Sequence, residues 1–162
     1  MRRIAAVIFT FFVFAAFLVL PAGGASAASN AYWYDKPDRF EKRVLYWTNQ
    51  YRIKNDVPKL RHGRCADRIA ERWSHRMARQ ERLYHQSLSP LLECSSRAYT
   101  AGENIAYAPS SYTPRQIVKM WWESPGHRKN MLNPNFTHLG VGSAVSKASG
   151  YGYHTQDFIG NR

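Results

Sequence analysis

Acidic residues are scarce in this chain. Its 162 residues carry 11 Asp and Glu against 23 Lys and Arg, for a formal charge of +12 at pH 7. So lopsided a surface favours polyanions as partners, or is a solvated, Arg-biased face with no particular partner. Cysteine is scarcer still, with Cys65 and Cys94 alone. No second cysteine pair and no nearby Cys-His spacing accompanies them, which argues against a cysteine-held metal. There is no HExxH or other compact metal motif, and beyond residue 27 there is no repeat or low-complexity tract. Nor do strands and helices alternate, which excludes a parallel βαβ sheet.

The one long apolar run stands at the start. Arg2 and Arg3 precede Ile4 to Leu20, and Pro21 with Ala25-Ser26-Ala27 follows as a cleavage signal. Residues 1–27 therefore read as an export signal peptide, with a retained membrane anchor as the alternative. Residues 28–37 read as an N-terminal extension and 38–162 as one domain, enough chain for one core and too little for two. Removing Arg2 and Arg3 leaves 21 bases against 11 acids, a charge of +10. The protein is expected to be secreted and monomeric. Outside a cell its polyanion would be an acidic wall polymer or anionic lipid headgroup before nucleic acid. In an oxidising compartment two cysteines read as one disulfide, Cys65–Cys94, worth roughly 3–4 kcal/mol through loop closure.

Phe40, Val44, Trp47 and Tyr51 recur at helical steps, with Asp38 as the expected N-cap. Ala66, Ile69, Ala70, Trp73 and Met77 mark the apolar stripe of a second helix, with Arg68, Arg72, Arg76 and Arg79 toward water. Residues 83–111 break into short pieces and read as loop with a short helix and at most one short strand. Thr113, Pro114 and Gln116 announce a third helix through a capping box. Ser124-Pro125 repeats the signal for a short helix carrying His127. "HLGVGSAVS" and "YGYHTQDFIG", joined by "KASG", read as a hairpin. Helices first and strands last predict an α+β domain with an antiparallel sheet.

His85, Glu103 and His127 lie in turn-rich joints or at a helix start. Two imidazoles and a carboxylate meeting in one cleft can hold Zn²⁺ with an open position or work as an acid/base pair. Taken singly, each also reads as an ordinary hydrogen-bonded residue, and His62, His75, His138 and His154 read so more firmly. The string "YHQS … AGENIAY … MWWESPGHRKNMLNPNFTHLGVGSA … YGYHTQDFIG" resembles the bacterial branch of the CAP superfamily (cysteine-rich secretory proteins, antigen 5 and pathogenesis-related proteins; the SCP domain). The resemblance runs from about Phe40 to Gly160. It implies an α-β-α sandwich, a central antiparallel sheet between helical layers, with a cleft lined by two His and two acids. His85 matches the first histidine, in "HQS" where the family usually has "HS". Glu103 matches the acid of "GEN", and His127 the second histidine. The second acid of eukaryotic members falls three residues after Trp121, where this chain has Ser124. Glu123, one residue earlier, is turned about 100° away on a helix. Zinc would then rest on His85, His127 and Glu103 alone, with Ser124 as the cleft's fourth position.

The resemblance implies an extracellular binding module for a lipid, wall component or protein, with no catalytic residue assigned. A metal-dependent or acid/base hydrolase is the alternative, and it lacks an activated nucleophile: Ser87 and Ser124 have no evident base and orienter. A structural or antimicrobial role of the basic surface is a third. Glu103 is expected to face a wet, open joint, Asn104 to satisfy backbone groups of the "GEN" turn, and Asn49 and Arg52 to be structural.

Overall fold

Each long helix buries the stripe that its sequence marks. The computed structural model describes residues 37–162; the export segment at 1–27 and the extension up to residue 36 lie outside the described residues. Helix α1 (Pro37–Ile53) buries Phe40 and Val44 completely and half-buries Trp47 and Tyr51 against the same core. The helix starts at Pro37, so Asp38 lies inside its first turn rather than ahead of it. A two-residue strand β1 (Arg61–His62) precedes α2 (Arg64–Gln80), whose buried side is Ala66, Ile69, Ala70, Ser74, Met77 and Ala78. A short α3 (Ser89–Leu92), strand β2 (Ala98–Pro109), α4 (Pro114–Glu123), α5 (Pro125–Met131), and strands β3 (His138–Val145) and β4 (Tyr151–Asn161) complete the order. Thr113 and Gln116 form the expected capping box at the start of α4.

The sheet runs β1-β3-β4-β2. Its long strands pair antiparallel, β3 with β4 and β4 with β2, while β1 lies parallel to β3 and makes the sheet mixed. Helices α1, α4 and α5 cover one face through Phe40, Val44, Ile117, Trp121 and Met131 against Leu139, Val141 and Phe158. Helices α2 and α3 cover the other, through Met77 against Ile105 and Tyr153 and through Ile69 and Leu91 against Ile159. The result is an α-β-α sandwich.

The largest departure from the sequence reading is β2. Residues 98–109, "GENIAY" included, form a 12-residue strand where mostly loop was expected. Helices lie over both faces, so Ala106 and Ala108 pack on the α1 side while Ile105 packs on the α2 side. A strand buried on both faces has no polar–apolar alternation to betray it.

Two buried groups fix the layers. Arg52 is fully buried with no carboxylate partner among the described residues, donating to the carbonyls of Pro58 (2.7 Å), Met131 (2.8 Å), Asn133 (3.0 Å) and Phe136 (3.1 Å). Burial pushes its guanidinium down to about 10, which leaves it charged at neutral pH. It ties the end of α5 to the approach of β3. On the other face α2 rides directly on β3. A Cβ built on Gly140 would stand 2.1 Å from the backbone of Ala66, and one on Gly142 2.2 Å from that of Ala70. This close approach brings the Asp67 carboxylate to the Val141 N–H (3.0 Å) and the Ser74 hydroxyl to that of Thr155 (2.9 Å). Cys65 at the start of α2 is disulfide-bonded to Cys94 just after α3, closing the expected loop.

Because the atoms facing Gly142 are helix backbone, they cannot swing aside. Gly142→Ala should therefore cost at least about 1–3 kcal/mol, the usual penalty of overpacking, seen as a lower midpoint in urea unfolding. An unchanged midpoint would mean that α2 can lift from the sheet at no cost.

Candidate functional site

Strand β2 is an edge strand, and successive side chains on it point to opposite faces. Glu103 turns to the α2 side and Asn104 to the α1 side. Each holds one of the two histidines.

On the α2 side, the connection after α2 lays His85 and Gln86 over Glu103. His85 Nδ1 donates to Glu103 Oε1 at 2.5 Å; the imidazole is 61 % exposed and the carboxylate 2 %. Gln86 adds its backbone N–H to Oε1 (3.2 Å) and its side-chain amide to Oε2 (2.8 Å). Glu103 is thus a buried anchor, not the wet residue that its glycine neighbour suggested. The Gln86 amide also donates to Asp157, at 3.0 and 3.2 Å. Asp157 is fully buried and stands opposite Glu103 in the β2–β4 register. Burial, and after it the Glu103 charge, pushes the Asp157 carboxyl well above its usual range, against the pull of the Gln86 hydrogen bond.

On the α1 side runs a chain of buried amides. Gln156 donates to the Thr48 hydroxyl (2.7 Å), and Asn104 donates to Gln156 Oε1 (3.0 Å) and to the His127 carbonyl (3.1 Å). Asn130 donates to Asn104 Oδ1 (2.9 Å) and to the Glu103 carbonyl (3.0 Å). Asn104 therefore pins α5 to the sheet and does not cap a turn. His127 is half-buried, and burial followed by the nearby His85 lowers its proton affinity.

His85, Gln86, Gly102, Glu103, Gly126, His127 and Asn130 line one cleft of about 510 Å³. Ser124 is the N-cap ahead of α5, its carbonyl accepting the Arg128 N–H at 2.9 Å, and it is not among the residues that line the cleft, which on this helix start at Gly126. His154 is fully buried away from the cleft, stacked on Phe40 and bonded to the Ser143 hydroxyl at 3.0 Å. Asn49 exchanges two hydrogen bonds with the backbone of Leu60.

A second cluster escaped the sequence reading. Glu41 of α1 and Asp67 and Glu71 of α2 each offer an oxygen within 4.8 Å of the others, the one such group of three potential metal-binding side chains among the described residues. Three hard oxygens could hold a divalent ion. Asp67 also receives His62 Nε2 at 3.1 Å. Asp67 and Glu71 share a helix face at i, i+4, which was legible. Glu41 was not, because it comes from the neighbouring helix. Gln86 left a trace as the extra residue in "HQS", and Asp157 as an acid within an otherwise uncharged strand.

A three-layer sandwich with a His/Glu cleft at its sheet edge defines a CAP-type domain. The model of the cysteine-rich secretory protein (CAP) family matches residues 45–158, and the chain belongs to that family. It is 40 % identical over 127 residues to YkwD of Bacillus subtilis, covering 75 % of this chain and 47 % of that protein. It is 34 % identical over 139 residues to the Bacillus subtilis membrane protein YlbC, with 82 % and 38 % covered. A solved extracellular protein of Bacillus anthracis containing an SCP domain superposes with a TM-score of 0.64 at 29 % identity, over 76 % of this chain and 41 % of that one. The chain thus spans less than half the length of each of these relatives.

The buried acid and the buried histidine pull stability in opposite directions with pH. Unfolded Asp157 gives up its proton near the ordinary 3.8 and the folded group well above it. Between those values the unfolded chain binds fewer protons, so stability falls as pH rises. His154, pushed down to about 3 by burial, makes stability fall as pH drops from about 6.5 toward that value. Asp157→Asn removes the first effect alone. It should raise the unfolding temperature at pH 7 while changing it little at pH 3. A lower melting point at pH 7 would show that the charged carboxylate stabilises the fold.

Proposed function

We propose that the protein is an extracellular binding module that takes its ligand in the edge cleft between His85 and His127, and that these two histidines also hold a divalent ion of zinc's class. The observation that carries the reading is the grip of buried Glu103 on His85 Nδ1 at 2.5 Å. It leaves Nε2 as the nitrogen free to accept, on a ring 61 % exposed in the cleft. A carboxylate behind a histidine is how metal-bound imidazoles are commonly oriented. The donor set suits such an ion, but with a change from the sequence expectation: both Glu103 oxygens are already engaged, so the carboxylate would orient rather than ligate. A bound ion would supply a fixed positive charge for an anionic group of the ligand. The amide chain through Asn104 supports His127, and lowered proton affinity keeps its imidazole neutral and able to ligate. An extracellular setting is supported by the N-terminal export pattern and by the extracellular SCP-domain relative. The ligand classes that suit the reading are a lipid, a wall component or a protein.

A hydrolase remains the second reading, favoured by the same pair. His85 backed by Glu103 is the base-and-orienter half of an acid/base site. Water would then be the nucleophile.

Calorimetric titration with zinc tests the first reading. The wild-type protein should bind, with affinity falling as pH drops through the imidazole range of about 6–7, since a protonated ring cannot ligate. Glu103→Gln should weaken binding about 10–100-fold and lower stability by about 1.5–3 kcal/mol through its charged hydrogen bonds. Equal zinc affinity in wild type and His127→Ala would remove His127 from the site.

A further inference from the structure

Helix α2 carries its charges in two separate rows. Asp67 and Glu71 turn toward Glu41. Arg72, Arg76 and Arg79 lie along another flank and line a groove of about 460 Å³, with His75, Trp73 and Gln86 also in its wall. All three arginines are exposed, and among the described residues none forms an ion pair. Unneutralised guanidinium groups at i, i+4 and i+7 repel one another, so a row of them is a cost that a bound anion would remove. Arg72 and Arg79 stand about 10 Å apart along the helix axis, at 1.5 Å per residue, a spacing suited to successive charges of an extended chain and not to one small anion.

We propose that this groove is a docking site for an extended phosphodiester polymer without bases, of the poly(glycerol phosphate) kind. Planar guanidinium forks match phosphate oxygens two at a time. Arg76 is already positioned, its guanidinium 5.4 Å from the centre of the Trp73 ring. Arg82, over Tyr84 at 4.4 Å, adds a further cation beyond the end of the helix. The aromatic content argues against nucleic acid. Trp73 has Arg76 over it, the Tyr84 ring against it at 4.8 Å, and its indole N–H spent on the Tyr84 carbonyl at 2.9 Å. The groove wall holds this one tryptophan and neither tyrosine nor phenylalanine, where single-strand binders normally supply a series of stacking rings. Gln86 lines both this groove and the histidine cleft, so a polymer in the groove runs to the cleft's rim. The groove needs no metal and does not depend on the cleft's ligand.

The test measures binding of lipid-free poly(glycerol phosphate) across a salt series. It compares wild type, the triple variant Arg72→Gln/Arg76→Gln/Arg79→Gln, and a charge-matched control, Lys59→Gln/Arg61→Gln/Arg97→Gln, from another basic pocket. The groove variant should bind at least about tenfold more weakly at low salt, with the slope of log affinity against log salt smaller by about two. The control should keep the wild-type affinity. Thermal unfolding checks that both variants fold; Arg72→Gln and Arg79→Gln singly repeat the test in smaller steps. Equal losses in the two triple variants, or no polymer binding by the wild type, would overturn the proposal. So would an oligothymidylate of equal charge that binds as tightly with the same dependence on the arginines. Binding to phosphatidylglycerol vesicles but not to the free polymer would overturn it in favour of a membrane.

Discussion

The alternation of side chains along one edge strand is the constraint on which the site rests. Glu103 and Asn104 are neighbours in β2, yet their side chains leave the sheet on opposite faces. One reaches His85, delivered by the connection after α2, and the other reaches the carbonyl of His127, delivered by α5. Two histidines from separate helical layers meet because the layers end at the same edge. A register slip of one residue would exchange the two supports and lose both. The continuous pairing of β2 with β4 from Thr100 to Pro109 holds that register. The catch is that register also sets Glu103 beside Asp157, two carboxyls in one buried position. The Gln86 amide, donating to both, makes the arrangement tolerable, and burial beside Glu103 raises the proton affinity of Asp157.

The second constraint is the absence of side chains at Gly140 and Gly142. Without them α2 settles onto β3 at backbone contact, and everything α2 carries is fixed in height over the sheet. The disulfide then holds the segment after α3 to the start of that helix, with the His85 connection spanning the residues between. The helix presents three unlike flanks. Its small and apolar residues meet the sheet, its two acids meet Glu41 of α1, and its arginine row is left to solvent. Charge segregation of this sort does nothing for the helix itself, since its like-charged neighbours along each row repel. It belongs to the surfaces that the helix helps to build.

How much of this the sequence disclosed depended on whether the signal was local. The α2 stripe, the capping box at Thr113 and the β3–β4 hairpin each have a period or turn chemistry contained within a few residues, and each stands where it was expected. The family motifs point to His85, Glu103 and His127 as residues of one cleft, and the three line the same cleft in the structure. The β2 strand was hidden because burial on both faces erases the two-residue period, and its Gly, Asn and Ala residues resemble loop. Arg52 and Asn49 could be named as structural from the motif around them, but not which carbonyls they serve. Gln86, Asp157 and the Gln156–Asn104–Asn130 chain were out of reach for a firmer reason. A glutamine lying between two carboxylates exists only once β2 and β4 are paired. No pattern along the chain encodes that juxtaposition.

This difference between local and assembled features bears on what kind of site the cleft is. Catalytic sites commonly place a polarised group beside a nucleophile, and the side chains gathered here are two histidines, the carboxylate behind one of them and a set of amides. The amides are spent inward, on one another, on buried carboxylates, on the Thr48 hydroxyl and on backbone carbonyls, so their effect is rigidity. The histidine on the α2 side is mostly exposed and that on α5 half-buried, so their effect is directed outward. A rigid frame that presents two imidazoles to solvent is the arrangement on which the proposed binding role rests. The polymer proposed for the arginine groove would meet this frame only at its rim, through Gln86, which lines both surfaces.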